Sequence, residues 1–564
     1  MTAAPAGPGG LSKRFADFTT ITEALDHAAA GEDGACFHDA RGGVDRALAY
    51  RELRDEAQGM ARRLAGLGFG RGDRLGLVAE TAPAFLIAFY ACQYAGLIPC
   101  PLPHTAYLGG RAAYEAQLAG MLGAARAAAI ILPASIRGCG DAAAAATGAR
   151  VLAYEDLASL PDGDVPLPGF GPEDAAYIQY SSGSTAQPKG VLISQRAICA
   201  NAGGILRHGL RLRPGDRAFS WLPFYHDMGL VGFALAPMFG RCSVDYLAAG
   251  AFARRPALWL QLMAAKGSTI TYAPSFGYRL AAQRFRSNGE ALDLSRLRVA
   301  GIGGDMVRAD VLAEFADALA ATGFRAEAFL PSYGMAEATL AVTFADPGGV
   351  VVDQSRGDPR GYVVCGRPLP GHALIVVDAA GVALPDGEIG HIWLRGPSLM
   401  QGYFANPAAT AAVMRRDGFM DSGDLGYLRD GRIVVTGRAK DVILQRGRNI
   451  WPEDVEWAVE RLPPLLPGDA VAFGIEADGE EVLVTLIQCG LTDTAAREGL
   501  RARAAAAISE SVGVAGRIVL VPPRSLPFTS SGKLARGLAR SRYLAENALP
   551  AVTPILSSPE TAAP

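Results

Sequence analysis

The sequence predicts an α/β protein, with a large N-terminal domain of layered α/β subdomains plus a β-rich part, and a small α+β C-terminal domain. Three observations carry this. Strand-like and helix-like segments alternate as far as about residue 340, the pattern of layered sheets with largely parallel strands. From about residue 365 short strands joined by turns take over (HALIVVD, EIGHIWLRG, GRIVVTGR). Past Arg438 a new strand, turn and helix begins a unit of roughly 100 residues, an ordinary domain size.

In chain order, residues 1–14 are rich in Ala, Pro and Gly and are expected to be disordered. From Tyr50 the pattern YRELRDEAQGMARRLAGLG reads as a helix ending at glycine, and GDRLGLVAE as the strand after it. The stretch from Thr81 to Gly110 carries no Asp, Glu, Lys or Arg. Pro83, Gln93, Gly96, Pro99, Pro101 and Pro103 interrupt it, so it reads as a buried helix over Ala84–Tyr94 with a core strand and loop, not as a membrane span. AAAIILPAS (127–135) reads as a buried strand and VLAYEDL as strand then turn. In the last unit KDVILQRGRNIWPEDVEWAVERL is strand, turn and helix. EVLVTLIQC and GRIVLVPP are strands around the helix TAAREGLRARAAAAISESVG. Residues 548–564 read as a loose tail.

At 564 residues the chain exceeds one ordinary core, and half its residues are hydrophobic with 19% charged, the balance of a globular protein. With a net charge of −3 and no strongly basic block, nothing invites nucleic acid, and no nucleic-acid partner is expected. The eight cysteines are scattered with no C-x-x-C pair, so they read as reduced thiols, not a disulfide frame or zinc site. The opening MTAAPAGPGGLSKRF shows no charged-then-apolar signal, and a cytoplasmic location is expected.

The stretch Tyr177–Val191, YIQYSSGSTAQPKGV, carries the chemistry. After a strand-like run, Ser181, Ser182, Gly183, Ser184 and Thr185 bring small side chains, hydroxyls and exposed N–H groups together, and Lys189 adds a positive charge. That is a phosphate cradle in composition. It is not a Walker loop, because Pro188 and Gly190 flank the lysine where Gly and Ser/Thr are needed. The stretch resembles the nucleotide loop of the adenylate-forming superfamily, which spans acyl-CoA synthetases, luciferases, peptide-synthetase adenylation domains and fatty acyl-AMP ligases. Further matches follow in order over about residues 15–545, and the fatty acyl-AMP ligases are the nearest form.

The resemblance implies roles residue by residue. SWLPFYHDMGLVG (220–232) sets His226 in an apolar run. A lone histidine there reads equally as a satisfied buried residue, but the resemblance places it where the acid's carboxylate meets the α-phosphate of ATP. Pro223, Phe224 and Tyr225 form the floor of that site. VAGIGGDMV puts Gly303, Gly304 and Asp305 along the adenine. TITYAPSFGYRL matches the acyl-pocket wall through Ala273, Pro274, Ser275, Phe276, Gly277 and Tyr278, with plain core packing open for Phe276 and Tyr278. FLPSYGMAEATL brings Ser332, Tyr333, Gly334 and Met335 to the nucleotide, Tyr333 stacking on adenine and Glu337 holding Mg²⁺. A carboxylate suits that hard cation, which takes one or two protein ligands and fills the rest with phosphate and water. In DSGDLGY, Asp424 accepts from the ribose hydroxyls, and Arg438 supports the ribose. Lys440 matches the hinge about which the small domain turns, dividing the chain into 15–437, a 438–440 hinge and a mobile 441–547. Lys533 of PFTSSGKLAR bridges the carboxylate and the α-phosphate.

The implied reaction is activation of a fatty acid by Mg-ATP to acyl-AMP, then transfer to a thiol. Phe224 is followed by Tyr225 and His226, not by the Asp that anchors an amino group in peptide-synthetase domains, which argues against amino acids. The resemblance points to an acyl carrier protein as acceptor. The connection Val342–Cys365 leaves little room for the insertion such ligases carry, so coenzyme A stays open. Arg438, Lys440, Arg446 and Arg448 form a basic cluster that reads as a docking site for an acidic carrier or as a solvated loop. A non-catalytic acyl- or nucleotide-binding relative is disfavoured, since Lys189, Glu337, Asp424 and Lys533 are all present.

Overall fold

The computed structural model describes residues 18–547, except 105–109, 162, 164–165, 182–187, 286–291, 356–360, 446–447, 467, 478–479 and 529–533. The chain divides into two compact units, Met1–Lys440 and Asp441–Pro564.

The first unit is built on a nine-stranded sheet. Its six central strands are parallel, in the order Phe329–Gly334, Val299–Ile302, Ile270–Ala273, Arg217–Ser220, Ser243–Leu247 and Gly34–His38. Antiparallel strands close both edges, Val44–Ala49 at one and Ala341–Phe344 with Arg367–Pro368 at the other. A second, all-parallel sheet orders Ile98–Leu102, Arg74–Val78, Ala129–Leu132 and Arg150–Ala153. Strands covered on both faces need no polar alternation, which is why VAGI and AIIL are apolar and buried throughout, and ITYA is buried throughout with the Thr271 hydroxyl bonded to Phe219 O.

The uncharged stretch is a helix, Pro83–Ala95, with Pro at its first turn, a left-handed Gly96 as its cap, and every residue from Phe85 to Ala95 buried. No helix among the described residues is long and apolar enough to cross a membrane. Where VLAYEDL reads as strand then turn, the residues after Ala153 form a short helix, Tyr154–Ser159. Tyr154 is buried and its hydroxyl donates to Val78 O, so tertiary packing draws the segment inward.

Cys36, His38 and Asp245 meet inside the large sheet. Cys36 and His38 share one face of their strand, and Asp245 stands opposite Cys36 on the parallel neighbour. Asp245 Oδ1 accepts from His38 Nε2 at 2.9 Å, and Oδ2 accepts from Arg217 Nε on the next strand. Both carboxylate oxygens are thereby committed, and the group is an ionic strut across three strands. Burial pushes the Asp245 carboxyl up, but His38 and Arg217 together hold it below its ordinary value. Asp245→Ala is expected to cost about 3 kcal/mol, the low end for breaking a buried pair because Arg217 keeps partial exposure. Chemical denaturation checks this; an unchanged midpoint contradicts it.

The β-rich part is a four-stranded antiparallel sheet, Ala373–Val377, Gly390–Arg395, Met420–Arg429 and Arg432–Arg438. The second unit has a three-stranded sheet, with Glu480–Gln488 between an antiparallel Ala470–Ala477 and a parallel Arg517–Val521. A hairpin, Ile443–Gln445 with Arg448–Ile450, and helices Pro452–Glu460, Thr494–Val512 and Arg536–Glu546 complete it. All eight cysteines are free and buried.

Candidate nucleotide and acyl-activation site

The phosphate-cradle motif sits on an antiparallel pair, Ala175–Ser181 with Lys189–Ser194, whose end residues Ser181 and Lys189 are paired. Ser182, Gly183, Ser184 and Thr185 lie outside the described residues, as does the Ser181 side chain. A third strand, Gly402–Tyr403, lies against Lys189–Ser194, with Tyr403 opposite Val191. Lys189 Nζ stands 5.2 Å from the centroid of the Tyr403 ring. The Tyr403 hydroxyl donates to Glu337 Oε1 at 2.9 Å. Burial pushes the Glu337 carboxyl up, Tyr403 and Arg438 oppose this, and the charge of Asp227 adds to it.

Glu337 sits in a tight turn, Ala336–Ala338, and Thr339 after it has φ 70 and ψ −58. Leu340 N donates to Ala338 O across this three-residue turn. A β-branched residue in that region is strained by about 1–3 kcal/mol, and such strain persists only where surroundings enforce it. Thr339 Oγ1 donates to Ser398 O at 2.7 Å, and Asn201 grips the far side, donating to Ala341 O and accepting from Ala341 N.

Tyr333, at the end of a parallel strand, donates to Asp424 Oδ2 at 2.8 Å. Arg438 stands opposite Asp424 in the antiparallel sheet, its Nε 3.3 Å from Oδ1. Tyr333 is thus joined to a hairpin pair far along the chain, and burial with the neighbouring Asp424 raises the Tyr333 hydroxyl well above its ordinary value.

Gly303 follows its strand where a Cβ would lie 2.8 Å from Ser332 Oγ, so only glycine lets these two segments touch. Gly304 has φ +83. The Asp305 carboxylate accepts from Ser275 N and Ser275 Oγ, anchoring the start of helix Ser275–Arg284. Gly334 and Met335 turn the chain toward Glu337, Met335 N donating to Leu340 O.

Phe224 is fully buried and stacks on Phe85. Tyr225 O accepts from Gln179 Nε2 at 2.6 Å, tying this segment to the cradle strand. His226 Nδ1 lies 2.7 Å from Asp227 Oδ1, and the same carboxylate oxygen accepts from Met228 N at 2.7 Å, at the start of the short helix that begins at Asp227. Ala273 and Pro274 lead from strand to helix, and Trp221 lies on Gly277, where a Cβ would be 2.6 Å from the indole. Phe276 is half-buried, edge-on to Trp221. Tyr278 is fully buried among Phe315, Phe329 and Trp259, its hydroxyl donating to Gly301 O. It is a core residue of this layer.

Lys440 lies in the turn Ala439–Asp441, at the division between the units. Lys533 and Arg446 fall outside the described residues. Around Lys533, Phe528 and Leu534 form an antiparallel bridge and Ala535 N donates to Pro527 O. Tyr403 and Asn201 lie outside every motif of the sequence, and Trp221 and Thr339 lie inside motifs that assign them no role; their partners are distant in sequence.

A layered α/β core with these motifs in this order defines an adenylate-forming ligase, whose chemistry consumes ATP. The chain belongs to the AMP-binding enzyme family, which matches residues 25–404. It is 45% identical over 555 residues to a Caulobacter vibrioides (strain NA1000 / CB15N) protein provisionally named an acyl-CoA synthetase, covering 94% of this chain and 96% of that one. It is 30% identical over 520 residues to the long-chain-fatty-acid–AMP ligase FadD26 of Mycobacterium tuberculosis (strain ATCC 25618 / H37Rv), covering 84% and 87%. Among solved structures, one from work on fatty acyl-adenylate ligases of E. coli and L. pneumophila superposes with a TM-score of 0.91 at 42% identity, covering 95% of this chain and 99% of the other.

Proposed function

We propose that this protein activates a fatty acid with ATP to acyl-AMP, releases pyrophosphate, and passes the acyl group to the phosphopantetheine thiol of an acyl carrier protein. One observation carries the reading: Lys189 and Glu337, 148 positions apart, both contact Tyr403, the lysine at its ring and the glutamate at its hydroxyl, with the Tyr333–Asp424–Arg438 set in the same unit. The likeness to fatty acyl-adenylate ligases supports a fatty acid as substrate.

In the first step a carboxylate oxygen forms a bond to the α-phosphorus and the bond to the pyrophosphate oxygen breaks. Two anions must be held in line and the growing charge neutralised. Lys189 and the hydroxyl loop bind phosphate, and Lys533 bridges the carboxylate and the α-phosphate. Asp424 and Arg438 orient the ribose, Tyr333 and the Gly303–Asp305 segment hold the adenine, and His226 sits beside the acid's carboxylate. The donor set, one buried carboxylate beside a phosphate loop, fits Mg²⁺, and Glu337 would hold it. Mg²⁺ when bound supplies charge neutralisation at the phosphates. In the second step the smaller unit turns about Lys440, and a thiol sulfur bonds to the acyl carbon as AMP leaves.

A second reading, an acyl-CoA ligase, is favoured by the name of the Caulobacter relative and by the short Val342–Cys365 connection. A competition separates them: Mg-ATP, a ladder of fatty acids, coenzyme A and a holo acyl carrier protein together, read by mass spectrometry. Acyl-carrier thioester is the expected product. Acyl-CoA alone would overturn the acceptor assignment.

A further inference from the structure

Tyr403 touches two of the groups proposed for catalysis, Lys189 and Glu337. It is 8% exposed and lies 66 positions after Glu337. Its surroundings fix it from every side. Met400 N donates to Glu337 O, Gln401 N to Leu192 O, and Phe404 N to Gly190 O, all within 2.8–2.9 Å. Tyr403 N donates to Thr410 Oγ1 at 2.9 Å. The segment 400–404 is thus stitched to the Glu337 turn on one side and to the cradle strand on the other.

The chemistry of this placement is specific. A lysine and a glutamate that share one tyrosine as neighbour would each be spent on the other if they formed an ion pair. Among the described residues Lys189 and Glu337 form no such pair. The Tyr403 ring offers the ammonium a π face, an attraction that leaves its N–H donors free for phosphate. The hydroxyl holds one Glu337 oxygen, which fixes the carboxylate's rotation and aims its other oxygen. The strained Thr339 turn, clamped by Ser398 and Asn201, fixes the same carboxylate from the backbone side.

We infer that Tyr403 is a positioning residue for adenylation: its hydroxyl aims the Glu337 carboxylate at the divalent cation, and its ring holds the Lys189 ammonium ready for phosphate. This rests on the proposed roles of Glu337 and Lys189. The test uses the full-length protein and its Tyr403→Phe and Tyr403→Leu variants. Mn²⁺ binding to the enzyme–ATP complex is read by electron paramagnetic resonance, and metal-free ATP binding by calorimetry. ATP–pyrophosphate exchange is followed alongside, and melting temperature reports folding.

For Tyr403→Phe the expected result is Mn²⁺ affinity weakened by roughly tenfold, as for lost outer partners of metal ligands. Exchange kcat falls with it, while metal-free ATP affinity and the KM for the acid stay unchanged. Tyr403→Leu adds a loss of metal-free ATP affinity of about threefold, the worth of an exposed-to-buried cation–π contact. A merely structural tyrosine would lower the melting temperature and leave Mn²⁺ affinity alone, and that result overturns the proposal. So does wild-type Mn²⁺ affinity and kcat in the phenylalanine variant, while the proposed function stands. If the unmodified protein showed no exchange with any acid, the proposed function would fall, whereas the Mn²⁺ and ATP measurements would still decide on Tyr403.

Discussion

Replacing Lys533 with alanine is expected to cut acyl-adenylate formation by about a hundredfold or more while ATP binds nearly as before. A carboxylate is a weak electrophile's opposite: it must attack phosphorus while its own charge repels the triphosphate. In the proposed mechanism Lys189, Asp424, Arg438 and Tyr333 also hold the nucleotide, so one lost lysine leaves its binding largely intact. The approach of the second anion depends on Lys533 in the proposed mechanism, and the loss therefore appears in the rate and not in ATP affinity. Single-turnover formation of acyl-AMP, with ATP affinity measured in parallel, checks this. Normal acyl-AMP formation by the variant would remove Lys533 from the mechanism.

The largest expected effect on stability lies three residues further on. Arg536 gives a bidentate pair to Glu456, Nε to Oε1 at 2.9 Å and Nη2 to Oε2 at 2.7 Å. Its Nη1 stands 2.8 Å from Glu453 and 3.3 Å from Asp441. Burial lowers the guanidinium, but Glu453, Glu456 and Asp441 outweigh it and raise it well above its ordinary value. Glu456 is 4% exposed and also accepts from Ala472 N, so the cluster ties the helix Pro452–Glu460, the sheet and the last helix together. Arg536→Ala leaves a buried carboxylate without its cation and is expected to cost about 3–5 kcal/mol, a large share of what a unit this size has.

The pH dependence has a defined sign. Burial already raises the Glu456 carboxyl against the pull of Arg536, and removing the arginine raises it further. A carboxyl raised in the folded state contributes stability below its unfolded pKa and loses it as pH rises through the folded value. The variant's deficit is therefore greatest at neutral pH and narrows on acidification. Adding Glu456→Gln is expected to recover part of it. Calorimetry of the full chain at two pH values reads both effects, and a deficit that grows in acid would contradict the account.

The fold was legible where burial writes itself into composition. Strands covered on both faces appear as unbroken apolar runs in VAGI and AIIL, and the uncharged segment broken by prolines resolves as a buried helix. The apolar run of Ala470–Ala477 carries Gly474 in its middle, which weakens its strand signal. In the structure a Cβ there would lie 2.0 Å from Glu481 Oε1, so packing against the neighbouring strand accounts for the glycine. The candidate site was legible where its residues lie in contiguous motifs. Tyr403 was not, because its roles come from a two-residue strand that brings it against Lys189, more than two hundred positions earlier. The His38–Asp245 strut is similar: a period-two pair on one strand is common, and the partner across the sheet is 207 positions away. Tertiary pairing supplies this information, and no local pattern carries it.

The central claim is fatty-acid-dependent adenylation. Exchange of labelled pyrophosphate into ATP tests it most directly, with Mg²⁺ and a ladder of saturated fatty acids, and the twenty amino acids as the contrasting panel. The account predicts exchange that requires a fatty acid and is absent with amino acids. Exchange driven by amino acids, or by no acid in either panel, would contradict it.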